Sequence, residues 1–232
     1  SLEDIVEGEK LNKEQLNILK SIRKKIIEGE TKFLIQGPGG VGKTYLTSII
    51  IQNLLSEIFK ESKVTVTTTS NKALNVIKNE LKIKSNKIIF GTIFSLFKGK
   101  LEYDDKGNEI YIESETIQKY FDRDIIVVDE VSMLKHNTYL KFVRTNNIVL
   151  FLGDKYQLPP VKDEKGECEV FSNNNIIKYN LEKVVRTDNS EIKKICSYFR
   201  KILINICKCT NNYQQIREYL ESNYYKIFTE NN

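Results

Sequence analysis

Gly37-Pro-Gly-Gly-Val-Gly-Lys43-Thr44 is the stretch that decides the fold. It has the spacing G-x-x-x-x-G-K-[ST] and directly follows residues 32–36 (KFLIQ), a short apolar run that reads as a buried strand. A helical pattern begins near Gly42 and runs through Ile49, Ile50, Leu54 and Ile58. A glycine-rich turn between a strand and a helix is the context in which this spacing cradles phosphates. Gly37, Pro38, Gly39, Gly40, Val41 and Gly42 form the phosphate-binding turn, in which the glycines let backbone N–H groups turn inward toward phosphate oxygens. The helix N-terminus adds partial positive charge at the same place. Lys43 reaches the β- and γ-phosphates, and the Thr44 hydroxyl is offered to Mg²⁺.

Working outward, the same kind of segment recurs. Residues 63–68 (KVTVTT), 125–129 (IIVVD) and 147–152 (NIVLFL) are β-branched or apolar runs, as expected of strands covered on both faces. Helical patterns fall between them. Asn12 is placed to cap a helix over 13–28, with Leu16, Leu19 and Ile22 at helical spacing, and another helix begins at Asn71. Alternating strands and helices predict an α/β fold, a parallel sheet with helices on both faces. Asp129 and Glu130 emerge at the carboxyl end of the 125–129 strand, the edge at which parallel sheets bind ligands. Asp129 is expected to hold Mg²⁺ through its water shell, and Glu130 to polarise an attacking water as general base.

Residues 99–112 (GKLEYDDKGNEIYI) break this alternation. Two alternating arms flank a turn with Gly107 available for positive φ, so a β-hairpin insertion is predicted. Beyond Pro160 the pattern loosens. Residues 190–206 read as an amphipathic helix through Ile192, Ile195, Phe199, Ile202 and Ile206.

Bulk properties narrow the class. The chain has 232 residues, 40% hydrophobic and 29% charged, with no apolar run long enough to cross a bilayer. It opens SLEDIVEGEK, without the basic and then apolar stretch of a signal peptide. The four cysteines fit no zinc spacing, which points to a reduced intracellular protein. Net charge is +5, from 36 Lys and Arg against 31 Asp and Glu. That suits a polyanionic partner, but the abundance of Lys, Asn and Ile also fits an AT-rich coding bias.

Residues 127–134 (VVDEVSML) and 152–161 (LGDKYQLPPV) resemble motifs II and III of superfamily 1 DNA helicases, and the motifs together resemble the front half of a RecD/Dda-like member, with the weaker segments in the expected order. The second of these matches G-D-x-x-Q-L-P-P-V, in which Gln157 senses the γ-phosphate. Residues 11–15 (LNKEQ) resemble the family segment whose glutamine reads adenine; here Asn12 and Gln15 also have the spacing of a helix capping box. Residues 64–73 (VTVTTTSNKA) resemble motif Ia, V-x-V-T-A-P-T-N-K-A, which implies DNA-backbone contacts for Thr67, Ser70, Asn71 and Lys72. Thr69 stands where that pattern has proline, which removes a rigid element from the loop. Residues 91–96 (GTIFSL) resemble motif Ib, with Thr92 in place and Phe94 in the position of the common histidine. Phe94 either stacks on a base or packs in the core, and packing is the expectation. Residues 181–187 (LEKVVRT) resemble motif IV, whose arginine reaches the γ-phosphate from a second lobe; Arg186 is that residue or an ordinary surface arginine. His136 is expected to be a solvated helix residue without a catalytic part.

The resemblance implies a RecA-like P-loop NTPase domain over residues 1–180, with the hairpin insertion at about 99–122, and the beginning of a second RecA-like domain over 181–232. Nothing in 188–232 resembles motifs V and VI, so the chain is expected to stop inside that second domain. It implies ATP and Mg²⁺ as cofactors, and ATP hydrolysis that drives 5′-to-3′ movement on single-stranded DNA and unwinding at a duplex junction. Replication or recombination proteins are the further partners expected. The location expected is intracellular, cytoplasmic or within an infected host cell. Two rivals remain, a P-loop ATPase that remodels protein partners and an accessory DNA-binding subunit of a helicase or nuclease complex. The intact Lys43, Asp129 and Glu130 weigh against the second.

Overall fold

The structure, a computed structural model, describes residues 11–81, 85–97, 100–103, 109–112, 124–158, 160, 168–183, 198, 200–202 and 204–205. The chain divides into two compact units, Ser1–Lys183 and Val184–Asn232. The first holds a six-stranded parallel sheet. Its strands are β1 (Lys32–Gln36), β2 (Val64–Thr68), β3 (Ile88–Thr92), β6 (Ile125–Val128), β7 (Ile148–Gly153) and β8 (Ile177–Asn180). They lie in the order β3-β2-β6-β7-β1-β8. Separate from this sheet, β4 (Lys100–Tyr103) and β5 (Glu109–Ile112) pair antiparallel, with Lys100 opposite Ile112 and Tyr103 opposite Glu109, as the predicted hairpin requires.

The four strands expected from sequence are the four interior ones: β2, β6, β7 and β1. Each is buried along nearly its whole length, and β7 (IVLFLG) is buried at every position. Such strands lose contact with water on both faces, which is why they read as continuous apolar runs. The strands missing from the sequence reading, β3 and β8, are the two edges. β8 (IKYN) is half-buried, and its place is set by pairing with β1 from Phe33↔Ile177 to Gln36↔Asn180.

Helices cover the sheet. α1 (Lys13–Ile27) carries the predicted capping box: Gln15 N–H donates to Asn12 Oδ1, and Asn12 N–H donates to Gln15 Oε1. Its buried stripe is Ile18, Leu19, Ile22 and Ile26. α2 (Lys43–Asn53) begins at the phosphate-type turn and continues as a π turn (Leu54–Ile58). α3 (Asn71–Leu81) follows β2, a single turn α4 (Ile93–Leu96) follows β3, and α5 (His136–Val143) precedes β7. Phe142 of α5 meets Phe97 and Phe151 edge-on, at centroid distances of 5.5 and 6.4 Å, so α5 is fixed against the sheet beside β7. At the opposite, amino edge, buried Lys32 donates to the carbonyls of Thr145 and Asn147 at 2.9 and 2.8 Å, and burial lowers its pKa.

In the second unit, Tyr198, Arg200–Ile202, Ile204 and Asn205 are helical, within the amphipathic helix expected there. Among the described residues, no helix is long and apolar enough to cross a membrane.

Candidate active site

Because all six strands run parallel, every loop that follows a strand emerges at one edge of the sheet. In spatial order, β3 leads to Thr92 and Phe94, and β2 to residues 69–72. β6 then leads to Asp129 and Glu130, β7 to Asp154 and Gln157, and β1 to residues 37–44. The residues singled out from the sequence are thereby gathered, with the acids placed between the β2 loop and the glycine-rich turn. Arg186 lies outside the described residues.

The turn after β1 has the geometry the motif needs. Gly42 is the N-cap of α2 at φ 83°, left-handed backbone that glycine adopts without a Cβ clash. The Gly37 N–H is held by Gly153 O at 3.0 Å, which ties the turn to the end of β7. Lys43 Nζ donates to Gly37 O at 2.7 Å and to Pro38 O at 2.9 Å. Its ammonium is therefore folded back over the turn, at the spot where phosphate oxygens would replace the two carbonyls. Thr44, the second residue of α2, is half-buried.

β6 delivers the acids. Asp129 N–H donates to Thr67 O at 2.9 Å, extending the β2–β6 ladder by one residue, and Asp129 Oδ1 accepts the Glu130 N–H at 2.8 Å. Removal from water pushes the Asp129 carboxyl up to about 6, against the pull of the Glu130 N–H and of the Lys43 ammonium. Glu130 has φ 55°, left-handed backbone for a residue with a Cβ, at a cost of about 1–2 kcal/mol. Strain of this kind is held in place by surrounding structure and concentrates at functional sites. Glu130 Oε2 accepts from Thr69 Oγ1 at 3.4 Å, a contact the sequence did not signal. A carboxylate and a hydroxyl are hard oxygen donors, so Asp129 and Thr44 fit Mg²⁺ in chemistry.

The remaining predicted residues divide. Asp154 is buried at 4% exposure; its Oδ1 accepts Tyr156 N–H and its carbonyl accepts Gln157 N–H, both at 3.1 Å. This turn presents Gln157 to solvent. Gln15 is buried, and its Nε2 donates to Val41 O at 3.4 Å. The capping glutamine therefore also touches the glycine-rich turn, so the two readings of Gln15 describe one side chain. Ser70, Asn71 and Lys72 are exposed at the start of α3.

Four residues sit otherwise than expected. Thr67 is fully buried, and its carbonyl accepts the Asp129 N–H, so its side chain is not on the exposed part of the loop. Thr92 is 8% exposed and caps α4 by accepting Ser95 N–H at 3.1 Å. Phe94 is 40% exposed on that turn, not packed in the core, because α4 turns Ile93 and Leu96 inward instead. His136 is also not simply solvated, since its Nδ1 lies 2.7 Å from Glu169 Oε2, in a half-buried pair that joins α5 to the turn Glu169–Phe171.

Residues 20–163 match the family described as AAA domain. Over 150 residues the chain is 27% identical to ATP-dependent DNA helicase Pif1 of Campylobacter jejuni subsp. jejuni, a match covering 62% of this chain and 32% of that protein. Its fold is similar to that of Pif1 helicase from Candida albicans, with a TM-score of 0.54 and 20% identity over 83% of this chain and 44% of that one. It is equally similar to Pif1 helicase from Bacteroides in complex with ADP-AlF3 and ssDNA, with a TM-score of 0.54 and 18% identity over 80% of this chain and 46% of that one. The fold in common is the RecA-like P-loop NTPase. The chain spans less than half the length of each of these relatives.

Proposed function

The chain belongs to the AAA-domain family, its RecA-like domain is of the superfamily 1 helicase kind, and from this we propose that it is an ATP-hydrolysing motor domain acting on single-stranded DNA. One observation carries the proposal: Lys43 over the glycine-rich turn and the Asp129–Glu130 pair emerge at the same sheet edge as an exposed loop suited to nucleic acid. The protein-remodelling alternative is not favoured, because the relative matched in sequence is a DNA helicase.

The turn 37–42 and α2 bind the triphosphate through backbone N–H groups, and Lys43 exchanges its two carbonyl partners for β- and γ-phosphate oxygens. Asp129 and Thr44 would hold Mg²⁺, which when bound neutralises charge on the phosphates. Glu130 orients a water toward the γ-phosphorus and accepts its proton as the bond to the leaving oxygen breaks. Gln157, presented by the Asp154 turn, senses the γ-phosphate, and Arg186 adds positive charge there. Gln15 reads adenine, for which its Nε2 must leave Val41 O. Ser70, Asn71 and Lys72 contact the DNA backbone, and Phe94, exposed, stacks on a base. Movement is 5′-to-3′, as in the helicases that motifs II and III resemble. The second unit begins a second RecA-like domain.

The deciding experiment is ATP hydrolysis by the longest natural form of this chain, with and without oligonucleotides. Strong stimulation by single-stranded DNA is the expected result. Stimulation only by protein partners would favour remodelling instead.

The hairpin of β4 and β5 falls between the segments resembling motifs Ib and II, and we assign it the part of a strand-splitting pin. Replacing residues 102–109 by a short Gly-Ser turn is expected to spare DNA-stimulated hydrolysis and translocation while duplex unwinding falls sharply. Unchanged unwinding per ATP would place the splitter elsewhere.

Asp129 supplies a pH prediction. A carboxyl raised in the folded state holds its proton more tightly folded than unfolded. Its contribution to stability is therefore greatest in acid and is lost as pH rises from the ordinary 3.8 through about 6. Protons and Mg²⁺ compete for the same oxygens. Hydrolysis is expected to fall in acid with a midpoint below about 6, the value without Mg²⁺, and tenfold more Mg²⁺ to move that midpoint down by up to about one unit. A midpoint indifferent to Mg²⁺ would remove Asp129 from the metal site.

A further inference from the structure

The contact between Thr69 and Glu130 has no place in the chemistry described so far. Thr69 Oγ1 donates to Glu130 Oε2 at 3.4 Å, with both residues half-buried. Its direction follows from the topology. β2 flanks β6 on one side, and β7 and then β1 lie on the other. A Glu130 carboxylate turned to Thr69 is therefore turned toward the β2 loop and away from the turn that binds the triphosphate. The left-handed backbone of Glu130, with its N–H committed to Asp129 Oδ1, leaves the side chain as the part free to swing.

Thr69 is also the residue before the loop's exposed segment. Ser70 Oγ accepts Ala73 N–H at 3.2 Å and Ser70 O accepts Leu74 N–H at 2.9 Å, so Thr69 is joined directly to the first turn of α3. A ligand that grips Ser70, Asn71 and Lys72 pulls on the same short segment. An anion is the ligand this loop suits, since it combines a lysine, a hydroxyl and the N-terminus of an 11-residue helix. Proline, the residue of the motif pattern at this position, has no hydroxyl to donate. The link is thus particular to a chain with Thr or Ser here.

We propose that Thr69 is a positioning residue that holds Glu130 away from the nucleotide until single-stranded DNA engages the loop between β2 and α3, so that DNA contact releases the general base. This rests on the function proposed above. The length of the bond suits a restraint that a bound phosphate breaks, and the oxygen it occupies is one that the attacking water needs.

The test compares T69V, which keeps the shape and removes the donor, with T69S, which keeps the donor, and with T69A as a second donor-free variant. ATP turnover is measured without DNA and at saturating oligothymidylate. Affinities for a fluorescent ATP analogue and for labelled oligothymidylate are measured in parallel. The expected result is a rise in DNA-free kcat of about three- to tenfold in T69V and T69A, the size set by one long hydrogen bond. KM, both affinities and the DNA-saturated kcat stay near wild type, so stimulation by DNA shrinks by the same factor, and T69S behaves as wild type. A DNA-free kcat at or below wild type in both donor-free variants overturns the proposal, as does a T69S that behaves like T69V. A raised DNA-free rate with no DNA stimulation in either protein keeps the restraint and overturns DNA as its release, so the two failures are told apart.

Discussion

Lys43→Ala is expected to lower ATP turnover by on the order of 10²–10³-fold, the effect of removing one preorganised charge from a phosphoryl-transfer site. Folding should survive. The ammonium donates to two carbonyls of the turn, Gly37 O and Pro38 O, on a half-buried side chain at the rim of the sheet. Losing them opens no cavity in the core, so the melting temperature is expected to stay within about 2 °C of wild type. Single-turnover hydrolysis and a thermal melt on the same preparation check both halves. Turnover near wild type would sink the assignment of this turn as the phosphate site. A collapse of the melt would show that Lys43 is a structural strut.

Gly37→Ala is expected to damage both stability and nucleotide binding, for a reason that lies outside the motif. A Cβ at position 37 would stand 2.1 Å from Leu181 O and 3.3 Å from Val41 Cγ2. Neither side yields easily. Gly37 N–H is bonded to Gly153 O, and Leu181 N–H is bonded to Gln36 O at 2.8 Å, so moving one strand end breaks the pairing of another. Overpacking of this kind costs about 1–3 kcal/mol, and a backbone oxygen as the obstacle puts this case at the upper end. The melting temperature should fall by about 4–10 °C. Gly39→Ala is the control within the same turn. Nothing lies within 4 Å of a Cβ there, and the position is exposed, so its melt should match wild type. Equal melts for the two variants would show that the Leu181 contact relaxes without cost.

These two glycines mark where local reading stops. The spacing of 37–44 was legible because a phosphate turn needs particular residues at fixed offsets, and a strand before it and a helix after it are local properties too. The four interior strands were legible for a similar reason. A strand covered on both faces carries its environment in its own side chains, as IIVV and IVLFLG do. The acids at the end of β6 followed from the same logic, since a parallel sheet collects strand ends at one edge.

What only the tertiary structure decided concerns residues whose partners are distant in sequence. The edge strands β3 and β8 have one neighbour each, so half of what defines them sits on another strand. Gly37 reads as a turn glycine, yet its tightest neighbour is 144 positions away, at Leu181. Gln15 reads as a capping residue or an adenine reader, and only the packing of α1 beside the glycine-rich turn brings its amide to Val41 O, 26 positions on. Thr69 reads as a departure from a pattern, and only the pairing of β2 with β6 puts its hydroxyl on the carboxylate of Glu130, 61 positions on. Phe94 was misjudged because a four-residue helix has no periodicity to reveal its exposed side. Side-chain pattern reports how much water a segment loses; which atoms replace that water is settled when the strands take their order in the sheet.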